Sequence, residues 1–587
     1  MSTLYPLIMG REAMVSTEHY LSAAAAFRIF ARGGNAIDAA VAAALVEGVV
    51  NPHMHTIGGE APMLIRLGPS QRVVSINGNM MAPARATIAH YRALGLDLVP
   101  GEGLLAAGVP AAFGALACAL ENFGTRSLAA VAAPALALCE DGFPMHEGLC
   151  GDAEPSPGVP GIGLGSIRAN AEVFRTRWPS TARIYMPGGE LPRSGDVIRN
   201  PALANFFRRL LDAEAGAHHG GRAAGVRAAV ERFYRGDLAR EIVAHSEAHG
   251  GLLALEDLAT FTTPIEEAAS RAYRGAIVFK CGPWSQGPVF LQQLALLEGF
   301  ELRAMGHNSA AYLHTLVEVA KLAFADREAY YADPEFVAVP LEQLFSARYA
   351  ALRRALIDPA RASTELRPGD PRAMRAELGA AIQLRSWGAG TTHVDAADRQ
   401  GNLIAITPSG AWLRSSPVAD ALGFPLGTRM QTFYLDEGHP NALAPRKRPR
   451  TTLTPSLAVT RDGSWIAFGT QGGDQQDQWT LQFFLNVVEF GMDLQQAIEA
   501  PRYSCMHFPS SFYPHDSHPG LLRLESRIDE RVRAELAGRG HQIEVRPPWC
   551  DGNVLAVALD GARGRLAAGA DPRGQVAALM PAQAIGW

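Results

Sequence analysis

The run Gly388-Ala389-Gly390-Thr391-Thr392-His393 sets small residues directly before a threonine that opens an apolar strand. A threonine hydroxyl is a weak nucleophile unless a base lies beside it. Cutting the chain between Gly390 and Thr391 supplies that base. The freed α-amine would sit next to its own hydroxyl, and with a reference pKa of about 7.7–8.0 it can take the hydroxyl proton near neutrality. Two further stretches strengthen the reading. In FGTQGGDQQDQW, Gly472-Gly473 falls between a strand and a helix, where backbone N–H groups can face a developing oxyanion. In KRPRTTLTP, the adjacent hydroxyls of Thr451 and Thr452 precede a strand and could orient a polar group on a substrate.

Other familiar devices are missing. There is no HExxH, GxSxG or GxxxxGK[ST] pattern. His53-x-His55 has no third ligand at metal spacing and reads as loop or supporting histidines. His218-His219 reads as solvated, and Gly161-Ile-Gly163-Leu-Gly165 as a loop, because no strand and helix flank it as a phosphate cradle requires. No metal and no cofactor are expected.

The elements that must position these residues follow from periodicity. YLSAAAAFRIFA is a helix ended by Gly33-Gly34, and Asn35 caps a second, AIDAAVAAALVEGVV, whose near-continuous apolar run demands burial all round. Helical patterns recur at 110–121, 127–139, 200–213, 223–233, 237–248 and through much of 286–331. Short strands are expected at Met63–Leu67, Val73–Ile76 and Ala276–Lys280. Residues 358–388, broken by proline and charge, read as an exposed linker. Beyond it the texture becomes richer in strands: Thr391–Ala397 and Asn402–Thr407 around a DRQGN turn, then Trp465–Gly469, Ile543–Arg546 and Val554–Leu559.

The chain has 587 residues, 48% apolar and 19% charged, with a net charge of −5. That composition suits a large folded protein and gives no electrostatic case for nucleic acid or an anionic membrane. No apolar run approaches the roughly 18–20 residues a spanning helix needs. Six scattered cysteines and a start without a basic-then-apolar leader point to reduced thiols and a cytoplasmic location.

Taken together, these segments resemble the γ-glutamyltransferase family of N-terminal-nucleophile hydrolases along nearly the whole chain. GGNAIDAAVAAALVEGVVNPHMHTIGGEAPML resembles its early helix-and-loop segment, and AYLHTLVEVAKLAFADREAYYADPEF its large-chain helices. TTHVDAADRQGNLIAIT resembles the small-chain start, KRPRTTLTPSLAV the paired-hydroxyl segment, and GTQGGDQQDQ the oxyanion segment, with ADPRG near the end. The resemblance implies an α+β fold, a four-layer αββα sandwich. It implies a precursor cut between Gly390 and Thr391 into a large chain (1–390) and a small chain (391–587), intergrown as a heterodimer, with a dimer of these left open. Thr391 would be the nucleophile, Thr407 and Ser409 the hydroxyls that hold it, and Gly472 and Gly473 the oxyanion donors.

The departures bear on substrate. Asn79, in GNMMAP, stands where γ-glutamyl enzymes place an arginine on the substrate α-carboxylate, and it lacks that bidentate grip. Ala411, Arg429 and Thr432 stand where the amino group would be held, and Thr451-Thr452 replaces a serine pair. The segment before Lys447 is short, which implies a reduced lid and an open site. Arg429 and Arg450 add charge where relatives have none, which suggests relocated recognition of an anion. The expectation is a self-processing amidohydrolase or acylase for a small, non-γ-glutamyl, carboxylate-bearing acyl amide. The alternatives are a γ-glutamyltransferase with a rearranged donor pocket and a catalytically silent binding protein.

Overall fold

The computed structural model describes residues 3–152, 165–377, 390–573 and 582–587. Two seven-stranded sheets form its centre. One runs Ile8–Gly10, Arg565–Gly569, Leu555–Asp560, Trp465–Gly469, Ser456–Val459, Ala276–Lys280, Ala269–Tyr273. The other runs Gln583–Gly586, Ala13–Thr17, Val394–Asp398, Leu403–Ile406, Met63–Arg66, Val73–Ile76, Ile265–Glu267. Neighbouring strands in both are antiparallel.

Side-chain alternation along these strands builds the layers, because successive residues face opposite sides of a sheet. Leu403 and Ala405 point inward and meet Leu457, Ala467, Leu555 and Val557 of the other sheet. Ile404 and Ile406, one residue out of phase, join Val394 and Ala396 under the alanine-rich helices Tyr20–Ala31 and Ala36–Val50. On the far side, Val278, Ala458, Ile466 and Phe468 pack on helices Pro288–Leu297, Ala310–Tyr330 and Gln476–Val488. Helix, sheet, sheet, helix is the αββα sandwich.

Every residue of helix Ala36–Val50 is buried, as its composition requires. Asn35 caps it in a reciprocal box with Asp38, a device worth about 1 kcal/mol. Asp38 also accepts the amides of Thr125 and Arg126, fixing the next helix pair. The carbonyl oxygen of Trp587 accepts from Arg11, Glu12 and Ala13, tying the chain's end to the sheet edge.

Element types follow the sequence expectations closely; Val73–Ile76, Ala276–Lys280 and Trp465–Gly469 have the expected bounds. The linker differs in its described part. Pro368 and Gly369 are buried rather than exposed, because Asp326 accepts the Gly369 amide and Tyr330 donates to its carbonyl. Residues 378–389, and the glycine run except Gly165, lie outside the described residues. Among the described residues no helix is long and apolar enough to cross a membrane. All six cysteines are free thiols, five of them buried.

Candidate active site

The hairpin Val394–Asp398/Leu403–Ile406 sets the geometry. Its turn is pinned by Asp398, whose Oδ1 accepts the amides of Gln400 and Asn402, with Gly401 at positive φ. The register pairs Val394 with Ile406 and carries the chain on so that Thr391 bridges Ser409. Ser409 is clamped from the other side by reciprocal backbone bonds with Glu60.

Around this bridge six polar groups converge. The Thr391 and Ser409 hydroxyl oxygens lie 3.2 Å apart. Ser409 Oγ donates to the carbonyl oxygen of Gly390 at 2.7 Å, and Trp412 Nε1 donates to the same oxygen at 2.6 Å. Arg429 Nη2 donates to Ser409 Oγ at 2.9 Å, while its Nε pairs with Glu60 at 2.6 Å. Burial pushes the Glu60 carboxyl up, opposed by Arg429 and by a hydrogen bond from the Thr451 hydroxyl. Arg429 Nη1 is buried without a partner. The guanidinium lies over the rings of Trp412 and Phe512, 5.3 and 5.0 Å from their centres.

Phe512 links this cluster to the glycine pair, since a Cβ on Gly473 would meet its ring at 3.1 Å. Gly472 and Gly473 both have positive φ and lead into helix Gln476–Val488. Neither amide donates to a protein acceptor among the described residues, which leaves both N–H groups available to an oxyanion.

The other expected residues fall elsewhere. Thr407 is not bonded to Thr391: its hydroxyl meets His393 Nδ1 at 2.9 Å, and His393 Nε2 meets Asp395 at 3.0 Å. Thr432 spends its hydroxyl on the carbonyl of Arg429, closing the short helical turn Arg429–Thr432. Asn79 donates to Pro449 O and so fixes the Arg448–Arg450 segment instead of facing the cluster. Arg450 is committed to Glu328 at 2.8 Å and to the carbonyl of Arg327. Burial alone would raise the Glu328 carboxyl, yet Arg450 and Arg327 hold it well below the carboxylate range. That ion-pair network corrects the view of Arg450 as a free anion binder. Thr452 has a buried hydroxyl with no partner.

Thr391 is 1% exposed in the uncut chain. The short segment before Lys447 packs firmly: Tyr434 stacks between His439 and His515, and Asn441 holds the carbonyl of Thr432.

His55 lies behind the site with Nδ1 3.3 Å from Ser409 O, and burial pushes its pKa down to about 4. A trio of His314, Glu318 and His541 has ligand atoms within 4.8 Å of one another. There Lys321 occupies Glu318 at 2.6 Å and the two imidazoles bond each other at 2.9 Å, while His541 Nδ1 is buried without a partner. Sequence reasoning missed Trp412, Glu60 and Phe512; the only local hint was Gly410-Ala411 ahead of a tryptophan.

Two antiparallel sheets between helical layers, with a threonine at a hydroxyl-lined strand start and a positive-φ glycine pair ahead of a helix, define an N-terminal-nucleophile amide hydrolase or transferase. Residues 22–580 match the family model described as gamma-glutamyltranspeptidase, and the chain belongs to that family. It is 31% identical over 576 residues to the glutathione hydrolase-like YwrD proenzyme of Bacillus subtilis, covering 97% of this chain and 99% of that one. The solved structure of LmbA2991HD superposes with a TM-score of 0.91 at 44% identity, covering all of both chains. Cephalosporin acylase from Bacillus halodurans superposes with a TM-score of 0.83 at 29% identity, covering 100% of this chain and 98% of that one.

Proposed function

We propose that the chain is a proenzyme that cuts itself between Gly390 and Thr391 and then hydrolyses a small amide whose acyl part carries a carboxylate. After the cut, the Thr391 amine takes the proton of its own hydroxyl as Oγ1 attacks the amide carbonyl. The Gly472 and Gly473 amides stabilise the oxyanion. The leaving amine departs with the proton, and water releases the acid from the Thr391 ester.

The observation that carries this reading is the chain of contacts from Thr391 through Ser409 to Arg429, whose Nη1 has no partner. A guanidinium two hydrogen bonds from the nucleophile can hold a carboxylate next to the scissile carbonyl. Arg450 is tied to Glu328 and to the carbonyl of Arg327, and among the described residues no hydrogen bond joins it to Ser409 as one joins Arg429. Asn79, Ala411 and Thr432 supply none of the clamps a γ-glutamyl donor needs.

The test has two arms. Thr391→Ala should remain one chain and be inactive, since both attacks use one hydroxyl; a variant that still splits at this bond sinks the mechanism. In cleaved protein, Arg429→Gln should raise KM for an oxamate-like or dicarboxylic monoamide roughly ten- to a hundredfold, the weight of one charge-assisted contact. Wild-type KM in that variant, or γ-glutamyl anilides turning over faster than acidic monoamides, would defeat the substrate assignment.

A further inference from the structure

We infer that the Trp412 indole N–H and the Ser409 hydroxyl form an oxyanion site dedicated to self-cleavage, distinct from the Gly472-Gly473 amides that serve turnover. The inference rests on the self-cleavage reading above. The oxygen in question belongs to the bond that is cut: Gly390 O accepts from Trp412 Nε1 at 2.6 Å and from Ser409 Oγ at 2.7 Å. Two donors on one carbonyl oxygen, inside a site where Thr391, Ser409 and Trp412 are each at most 2% exposed, is the arrangement that stabilises charge developing on that oxygen.

The chemistry of the groups fixes every proton. An indole nitrogen and a guanidinium only donate, and a carbonyl only accepts. Ser409 Oγ therefore accepts from Arg429 Nη2 and gives its single proton to Gly390 O. Its remaining lone pair faces Thr391 Oγ1 at 3.2 Å, so the threonine is the donor in that contact. The result is a directed relay from Thr391 through Ser409 to the carbonyl oxygen. As Thr391 Oγ1 bonds to the Gly390 carbonyl carbon, the threonine proton moves to Ser409, and the serine proton moves to Gly390 O. Collapse of the tetrahedral carbon breaks the C–N bond, and the same proton ends on the Thr391 nitrogen. Water then adds its hydroxyl to the Gly390 carbonyl carbon and its hydrogen to Thr391 Oγ1, freeing the Gly390 carboxylate.

The backbone is bent to make this possible. Gly410 and Ala411 both take positive φ, 79° and 50°, and a non-glycine residue there costs of the order of 1 kcal/mol. The turn throws Trp412 back toward Gly390. Thr56 Oγ1 holds the Ala411 carbonyl at 2.9 Å, and Phe512 and Arg429 flank the indole. Strain at this point makes sense if the indole N–H must be aimed.

The experiment follows freshly purified full-length chain by gel and N-terminal sequencing. Trp412→Phe keeps the ring against Arg429 and Phe512 and loses only the donor. Its cleavage should slow about a hundred- to a thousandfold, the effect of one missing oxyanion donor, with the melting temperature of the uncut chain unchanged. Ser409→Ala should slow cleavage comparably, and Ser409→Thr should restore it. Trp412→Phe cutting at the wild-type rate, or slowing only in step with a lower melting temperature, overturns the assignment. A wild-type chain that never cuts overturns the self-cleavage reading itself.

Discussion

At Gly390 a side chain would have no room. A Cβ there would meet His53 O at 3.0 Å, Met54 Sδ at 3.2 Å and Trp412 Nε1 at 3.2 Å. Those neighbours would have to yield by a few tenths of an ångström, and the carbonyl beside them would turn off its donors. Gly390→Ala should therefore cut more slowly, by roughly tenfold or more if overpacking costs about 1–3 kcal/mol at the step. A time course on gels checks this, and an alanine variant as fast as wild type would show that the carbonyl is not held as described. The residues legible in the sequence, Thr391, Ser409 and Gly472-Gly473, share short motifs whose spacing survives folding. Glu60 was not legible because its partner Arg429 lies 369 residues away. The charge of Arg450 was legible, but its cancellation by Glu328, 122 residues earlier, was not.

Among the elements, the short helix Glu147–Cys150 depends on an uncharged imidazole. His146 caps it by accepting the Leu149 amide at Nδ1, while Nε2 faces Asn51 Oδ1 at 2.8 Å. A proton on Nδ1 would abolish the cap, and burial pushes the His146 pKa down from 6.5 to about 4. Below the unfolded value the unfolded ring binds a proton that the folded ring refuses. The stability it confers is thus complete above pH 6.5 and is lost as pH falls toward 4, a change on the order of 3 kcal/mol. His55 adds to the same trend, while Glu47, raised by burial to about 7, opposes it by losing stability as pH rises toward that value. Melting curves should show a steeper loss between pH 6.5 and 4.5 in wild type than in His146→Gln; equal slopes would contradict the cap argument. Helices and strands with a clear period were readable from sequence because burial enforces that period. The buried stretch at Pro368-Gly369 was not, since its polar composition conceals the carboxylate of Asp326 that anchors it.

Both sheets draw strands from either side of the Gly390–Thr391 bond. Val394–Asp398 is flanked by Ala13–Thr17, and Ser456–Val459 by Ala276–Lys280. Once cut, neither chain retains a complete sheet, so 1–390 and 391–587 should co-elute in native buffer and melt in a single transition. Separation of folded halves on a sizing column would be incompatible with this topology. The strand Gln583–Gly586 pairs with Ala13–Thr17, which in turn supports Val394–Asp398 beside the cut. A ribosome delivers that outer strand long after Thr391 has emerged. On the proposed cleavage, a cut that needs the sheet around Val394–Asp398 complete would work as a time stamp: it would wait for a segment nearly two hundred residues downstream to dock, and each cut molecule would carry a permanent record that its synthesis ran to that strand.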